Sequence, residues 1–266
     1  MENVLLNCSA LAALLPTSLQ AFRQNPARDG LFWGLLGLAT AGPVAWAAAQ
    51  AAGPWPTGFA GTLWLTVAAT MCLYVAAALA MEQAWRLAPL VAGYMLVLGF
   101  LATIWAGSPA RHPLAGPEEA GWMSAHIVAA LATYGLVTIA AIAALATWLQ
   151  DRALKRKQPS TVSRFLPSVR DCERLLVRLL AFGEVILGLG LATGMALQYR
   201  ETGALLALNH KTVLTIAAFL VLAGLLAAYG LGGVRGKRAA RVLLLGYLLL
   251  TLGYPGVKFV TDVLMA

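Results

Sequence analysis

Three histidines stand in the 266 residues: His112, His126 and His210. Two of them open long apolar runs, His126 in GWMSAHIVAALATYG and His210 in ALNHKTVLTI. Imidazole is the cheapest ionisable side chain to bury, because its ordinary pKa of about 6.5 leaves it neutral at little cost. Ionisable groups inside a membrane are expensive, and they mark functional positions. Two imidazoles on separate helices at one depth have the chemistry to ligate an iron from both faces of a porphyrin. Ala129 and Ala130 follow His126 at the i+3 and i+4 positions, so the helix face beside that imidazole is small enough to pack on a flat macrocycle. Either histidine alone reads as an ordinary interfacial residue; the ligand reading rests on their matching depth. A closed zinc site takes three or four protein ligands, so His112, Glu118 or Glu119 would have to complete one.

Cations and one acid surround this pair. Arg200 and Lys211 lie close to His210 in sequence, and Lys258 lies near the end of the last apolar run. They suit either the carboxylates of a haem, through charge-assisted hydrogen bonds, or lipid headgroups reached by snorkelling. Trp122 is one helical turn before His126, placed either to cover a cofactor or to join an interfacial aromatic belt. Glu184, in AFGEVILGLGLATG, is the acid deep in an apolar run. It reads as a proton relay or cofactor partner, or as a neutral acid bonded to a neighbouring helix. Gly190 and Gly194 of the same run have GxxxG spacing, which serves close helix packing and leaves room for a flat cofactor. No serine or cysteine sits beside a histidine in a nucleophile elbow, and no paired carboxylates occur in the apolar runs, so no catalytic residue is assigned.

The elements that hold these residues are membrane helices. The chain is 60% hydrophobic and 11% charged, with a mean hydropathy of +0.76; soluble domains are about 45–50% apolar and about 25% charged. A span needs about 20 apolar residues. Eight segments qualify, at roughly 3–22, 31–52, 59–80, 88–106, 121–149, 175–198, 211–230 and 240–262. The expected fold is all-α: a polytopic bundle of about eight transmembrane helices forming a single domain over 1–266. Of 19 lysines and arginines, four (Arg111, Arg200, Lys211 and Lys258) fall on one face and the other fifteen on the opposite face. The positive-inside rule then makes the basic face cytoplasmic and both termini periplasmic, in a bacterial inner membrane. The net charge of +8 is accounted for by those basic turns, so nucleic acid is not an expected partner. The first run lacks a basic n-region and reads as a retained span. Residues 150–174 are expected as the longest loop, anchored on anionic lipid. Cys8, Cys72 and Cys172 form no CxxC, which argues against a dithiol redox centre.

Four blocks carry a resemblance to a known family: HIVAALATYGL at 126–136, ERLLVRLLAFGEVILGLGLATG at 173–194, NHKTVLTIAAFLV at 209–221, and VRGKRAARVLLLGYLLLTLGYPGVKFV at 234–260. The chain resembles the YpjD branch of the CcsA-type cytochrome c assembly family, with the family core at about 120–264 and the N-terminal spans at about 1–106 alike mainly in hydropathy. The resemblance implies b-type haem handled at the outer face, with His126 and His210 as axial ligands. It also implies the lipid bilayer and proteins of cytochrome c assembly or haem biosynthesis as partners. A related HemX type keeps a regulatory role open. The tryptophan-rich segment of the cytochrome-assembling members is missing here, their DPKET is NHKT, and where they carry a further inner histidine the nearest residue is Tyr229. The expectation is therefore a haem-binding membrane protein with one outer-face bis-histidine site. The alternative is a non-haem transporter or assembly scaffold using Glu184.

Overall fold

A computed structural model describes residues 2–23, 26–51, 58–106, 120–157, 160–203 and 209–264. His112, Glu118, Glu119 and Arg111 lie outside the described residues. Among the described residues there is no strand. Hydrocarbon offers no hydrogen bonds to a backbone, so apolar segments of this length satisfy their amides internally, as helices. The helices are α1 (Glu2–Ser18), α2 (Gly30–Ala51), α3 (Phe59–Ala80), α4 (Ala88–Ile104), α5 (Ala120–Arg156), the short α6 (Thr161–Phe165), α7 (Val169–Thr202), α8 (His210–Gly230) and α9 (Gly236–Thr251). Beyond α9 the chain continues through π turns at Leu252–Gly256 and Val260–Leu264, with Val257–Phe259 between them. Among the described residues, eight helices are long and apolar enough to cross a membrane.

The stretch 150–174, expected as a loop, is mostly helical. α5 runs on to Arg156, and α7 starts at Val169. Asp151 holds the extension in place, pairing with Lys155 one turn on at 3.2 Å and with Lys237 of α9 at 3.1 Å. Gln150 Nε2 donates to the carbonyls of Ser163, Leu166 and Pro167 and so folds the connection back onto α5. Ser160 and Ser168 cap α6 and α7 by accepting from the amides of Ser163 and Asp171. At 37 residues α5 is about 55 Å long, well beyond a hydrocarbon core of about 30 Å.

Burial separates the central helices from the lipid-facing ones. Of the most apolar stretch of α5, 67% is buried, against 17% for α8. α5 packs against α3, α7 and α9. Because lipid tails are as apolar as leucine, such contacts are held by close fit and by internal hydrogen bonds. Gly135 of α5 lies so near α3 that a Cβ there would stand 3.3 Å from Thr70 Cα and 2.8 Å from a Leu73 methyl. Tyr94 of α4 and Tyr247 of α9 share a hydrogen bond of 2.6 Å, and Tyr247 donates to Tyr134 of α5 at 3.1 Å. Farther out, Trp46 of α2 donates to Asn7 of α1 at 2.6 Å in a buried contact. In the connection between α1 and α2, the Arg23 guanidinium holds the Asp29 carboxyl well below the usual carboxylate range, and Asp29 also accepts from the amide of Phe32.

Gly135→Leu is expected to destabilise the detergent-solubilised protein by about 1–3 kcal/mol through overpacking. Gly93→Ala, with nothing within 4 Å of its added Cβ, should stay within about 0.5 kcal/mol of the parent. Thermal unfolding of the two variants beside the parent checks both.

Candidate functional site

A cavity of about 340 Å³ opens between α5, α7, the first turns of α8 and the π turn after α9. Its α5 wall follows helical spacing: His126, Ala130, Thr133 and Tyr134 lie on one face. α7 runs antiparallel to α5 and supplies the facing wall with Leu187, Gly190, Leu191 and Gly194. Absent side chains at the two glycines let the helices close up. A Cβ at Gly194 would stand 3.0 Å from Cε1 of His126, and one at Gly190 would stand 3.7 Å from Cβ of Ala129. The GxxxG pair is thus the seat of the imidazole.

The seat also fixes the ring's chemistry. His126 Nδ1 lies 3.1 Å from the Gly190 carbonyl oxygen and 3.4 Å from Thr193 Oγ1. A carbonyl only accepts, so Nδ1 carries the proton and donates. In the neutral ring this leaves Nε2 with the lone pair. Nε2 has no hydrogen-bond partner among the described residues. A backbone carbonyl on the far nitrogen is how ligating histidines are held to one tautomer. His126 therefore fits the part of a metal or haem ligand.

α8 brings the cation. Asn209 caps it, its Oδ1 accepting from the Thr212 amide at 2.9 Å and from the Thr212 hydroxyl at 3.0 Å. That turn sets Lys211, Thr212 and Thr215 along the cavity. The π turn completes the enclosure with Gly253 and Tyr254. A Cβ at Gly253 would stand 3.3 Å from Leu214 Cβ, so the glycine lets this turn lie close against α8. π turns are found disproportionately at functional sites.

Of the residues singled out from sequence, His126, Ala130, Gly190, Gly194 and Lys211 line this one cavity. His210 is the first residue of α8, exposed and beside Lys211, and it is not part of the cavity wall. Arg200, in the last turn of α7, and Trp122, one turn before His126, are exposed and outside the wall as well. Lys258 is partly buried, within electrostatic reach of Lys211 and Asp262. Glu184 is buried on α7, with neither carboxylate oxygen hydrogen-bonded, so the bond to a neighbouring helix, one of its two readings, is not made. Among the described residues no three His, Cys, Asp or Glu side chains come together to hold a metal ion. Asn209, Thr133, Tyr134 and Tyr254 were not singled out from sequence. Thr133 and Tyr134 carried a signal, since they lie seven and eight residues after His126 and share its helix face. Tyr254 carried none, because the π turn shifts its register.

Comparison with known proteins bears on what this cavity serves. The family described as Cytochrome C assembly protein matches residues 57–265, beginning two spans earlier than the sequence blocks above. A protein of Azospirillum brasilense, described as a 28.8 kDa protein in the nifR3-like 5′ region, is 48% identical over 99% of both chains. The inner membrane protein YpjD of Escherichia coli K12 is 28% identical over 74% of this chain and 73% of its own length. No solved structure matches. With eight apolar helices and a match that runs from the start of α3 almost to the last residue, the chain is a multi-pass inner-membrane protein and belongs to the cytochrome c assembly protein family.

Proposed function

We propose that this protein binds b-type haem in the α5–α7–α8 cavity, near the periplasmic face, and acts in haem handling or cytochrome c biogenesis. The observation that carries this reading is the His126 imidazole. It is held on a glycine seat and tied through Nδ1 to the Gly190 carbonyl, and Nε2 has no hydrogen-bond partner among the described residues. Family membership supports the same assignment. The cavity volume of about 340 Å³ lies within the range of small-molecule sites, about 300–1,000 Å³.

In this reading His126 would hold the iron through Nε2. His210, exposed at the start of α8 and next to a lining residue, would be the second histidine to hold it. Lys211 at the cavity, with Lys258 and Arg200 toward the same end, would meet the two propionates. A bound haem would supply a redox-active iron. The chain's own part is to bind, orient and shield it. Burial of Leu187 and Leu250 beside the cavity favours an apolar face on the guest.

Detergent-purified protein is expected to give a reduced-minus-oxidised spectrum of b type, either as isolated or after haemin is added. His126→Ala should abolish it. His210→Ala should abolish it or convert it to a high-spin form. A featureless parent spectrum after loading would overturn the reading. Lys211→Ala is expected to weaken haemin binding by roughly tenfold, about 1.4 kcal/mol. It should leave the affinity for haem dimethyl ester, which lacks both carboxylates, unchanged. Titration followed at the Soret band checks the difference.

A further inference from the structure

The buried stripe of α7 that builds the cavity continues inward through Gly183 and Glu184. The register of α7 on α5 follows from three approaches: Gly194 on His126, Gly190 on Ala129, and Gly183 on Leu136 and Val137. Glu184 is therefore level with Leu136, about one helical turn beyond Leu187 and Thr133, which line the cavity. Glu184 is 8% exposed, and both its oxygens lack a hydrogen-bond partner. Thr133 is 3% exposed and its hydroxyl lacks one too. Two orphaned polar groups thus stand a turn apart where α5 meets α7, and one of them borders the cavity.

No charged side chain answers Glu184. α5 carries His126 and Tyr134 toward the cavity, and Asp151, Arg152, Lys155 and Arg156 at the basic end. α8 carries His210 and Lys211 at one end and Tyr229 at the other. None of these hydrogen-bonds or ion-pairs with Glu184. An unpaired carboxylate in an apolar interior is far more costly than a carboxylic acid, and water reaching it lowers that cost. Buried polar groups without protein partners are ordinarily served by ordered water.

We infer that Glu184 is a proton-binding site that loads and unloads through the cavity by way of the Thr133 hydroxyl. On unloading, the acid O–H bond breaks and its electron pair stays on the carboxylate. A water between the two groups accepts that proton and hands one of its own to the Thr133 hydroxyl, which passes its proton to water in the cavity. This site needs the cavity to admit water, whatever else the cavity holds. Where the cavity holds haem, which rests on the reading above, the two are linked. An ionised Glu184 favours the more positive ferric state, and the coupling is reciprocal.

Infrared spectroscopy of the purified protein tests the proton site without haem. The parent, compared with Glu184→Gln, should show the carbonyl stretch of one protonated carboxylic acid, and the band should shift when the buffer is changed to D₂O. Thr133→Val should slow that shift by about tenfold or more. No such band, or one that never shifts in D₂O, would overturn the site; equal exchange rates in Thr133→Val would overturn the route. In haem-loaded protein the midpoint potential should fall with rising pH, and Glu184→Gln should flatten that slope. A potential equally pH-dependent in both proteins would overturn the linkage. If no haem loads, the haem assignment fails and the infrared result still decides the proton site.

Discussion

The antiparallel packing of α5 on α7 is the contact on which the site depends. It is made through glycines at three successive levels, Gly183, Gly190 and Gly194. In a bilayer no hydrophobic force draws two helices together beyond what lipid already provides, so closeness of fit must do it. That closeness brings the Gly190 carbonyl within reach of His126 Nδ1. One feature thus sets the helix separation, the tautomer of the imidazole and the width of the cavity. The cavity is what remains where the two helices are held together at one edge and α8 and the π turn stand off at the other.

Many polar groups elsewhere in the bundle follow the usual discipline of a membrane interior. Tyr94, Tyr134 and Tyr247 join three helices by their hydroxyls, and Thr138 and Thr251 attach to the same cluster. Asn7 takes the indole N–H of Trp46. Thr66, Thr138 and Thr147 each donate to the carbonyl four residues back. Glu184 and Thr133 depart from that discipline, as do Gln20, Trp64, Thr70 and Arg86, each with a buried atom that has no hydrogen-bond partner. Among these, Thr133 lines the cavity and Glu184 lies one turn beyond it. A buried polar group without a partner calls for an explanation in water, an ion or a functional role.

Much of this was legible from residue order. Eight spans were readable because hydropathy over about 20 residues is a strong signal. His126 and Lys211 were readable because an ionisable side chain at the mouth of an apolar run is conspicuous. The glycine pair was readable as spacing, but the imidazole seated on it was not, since helix register is a property of two segments. The extension of α5 was missed because DRALKR looks like a loop when judged by hydropathy alone; its helicity comes from Asp151 pairing both along its own helix and across to α9. The π turn escaped notice for a related reason. Gly253 and Pro255 mark a break in the helix, and only the packing of α8 against it decides how the extra residue is absorbed.

α8 has an uneven setting: its cavity side faces Leu187 and Leu250 across a gap, its packing is chiefly onto α9, and a far smaller share of it is fully buried than of α5. Moving such a wall outward with α9 trades one set of acyl-chain contacts for another of nearly equal strength, whereas moving α5 or α7 would break a glycine-seated joint. The bilayer therefore acts as the soft fourth wall of the cavity. Its lateral pressure and thickness become variables of occupancy, in the same sense that the fit of a side chain is in a soluble binding site.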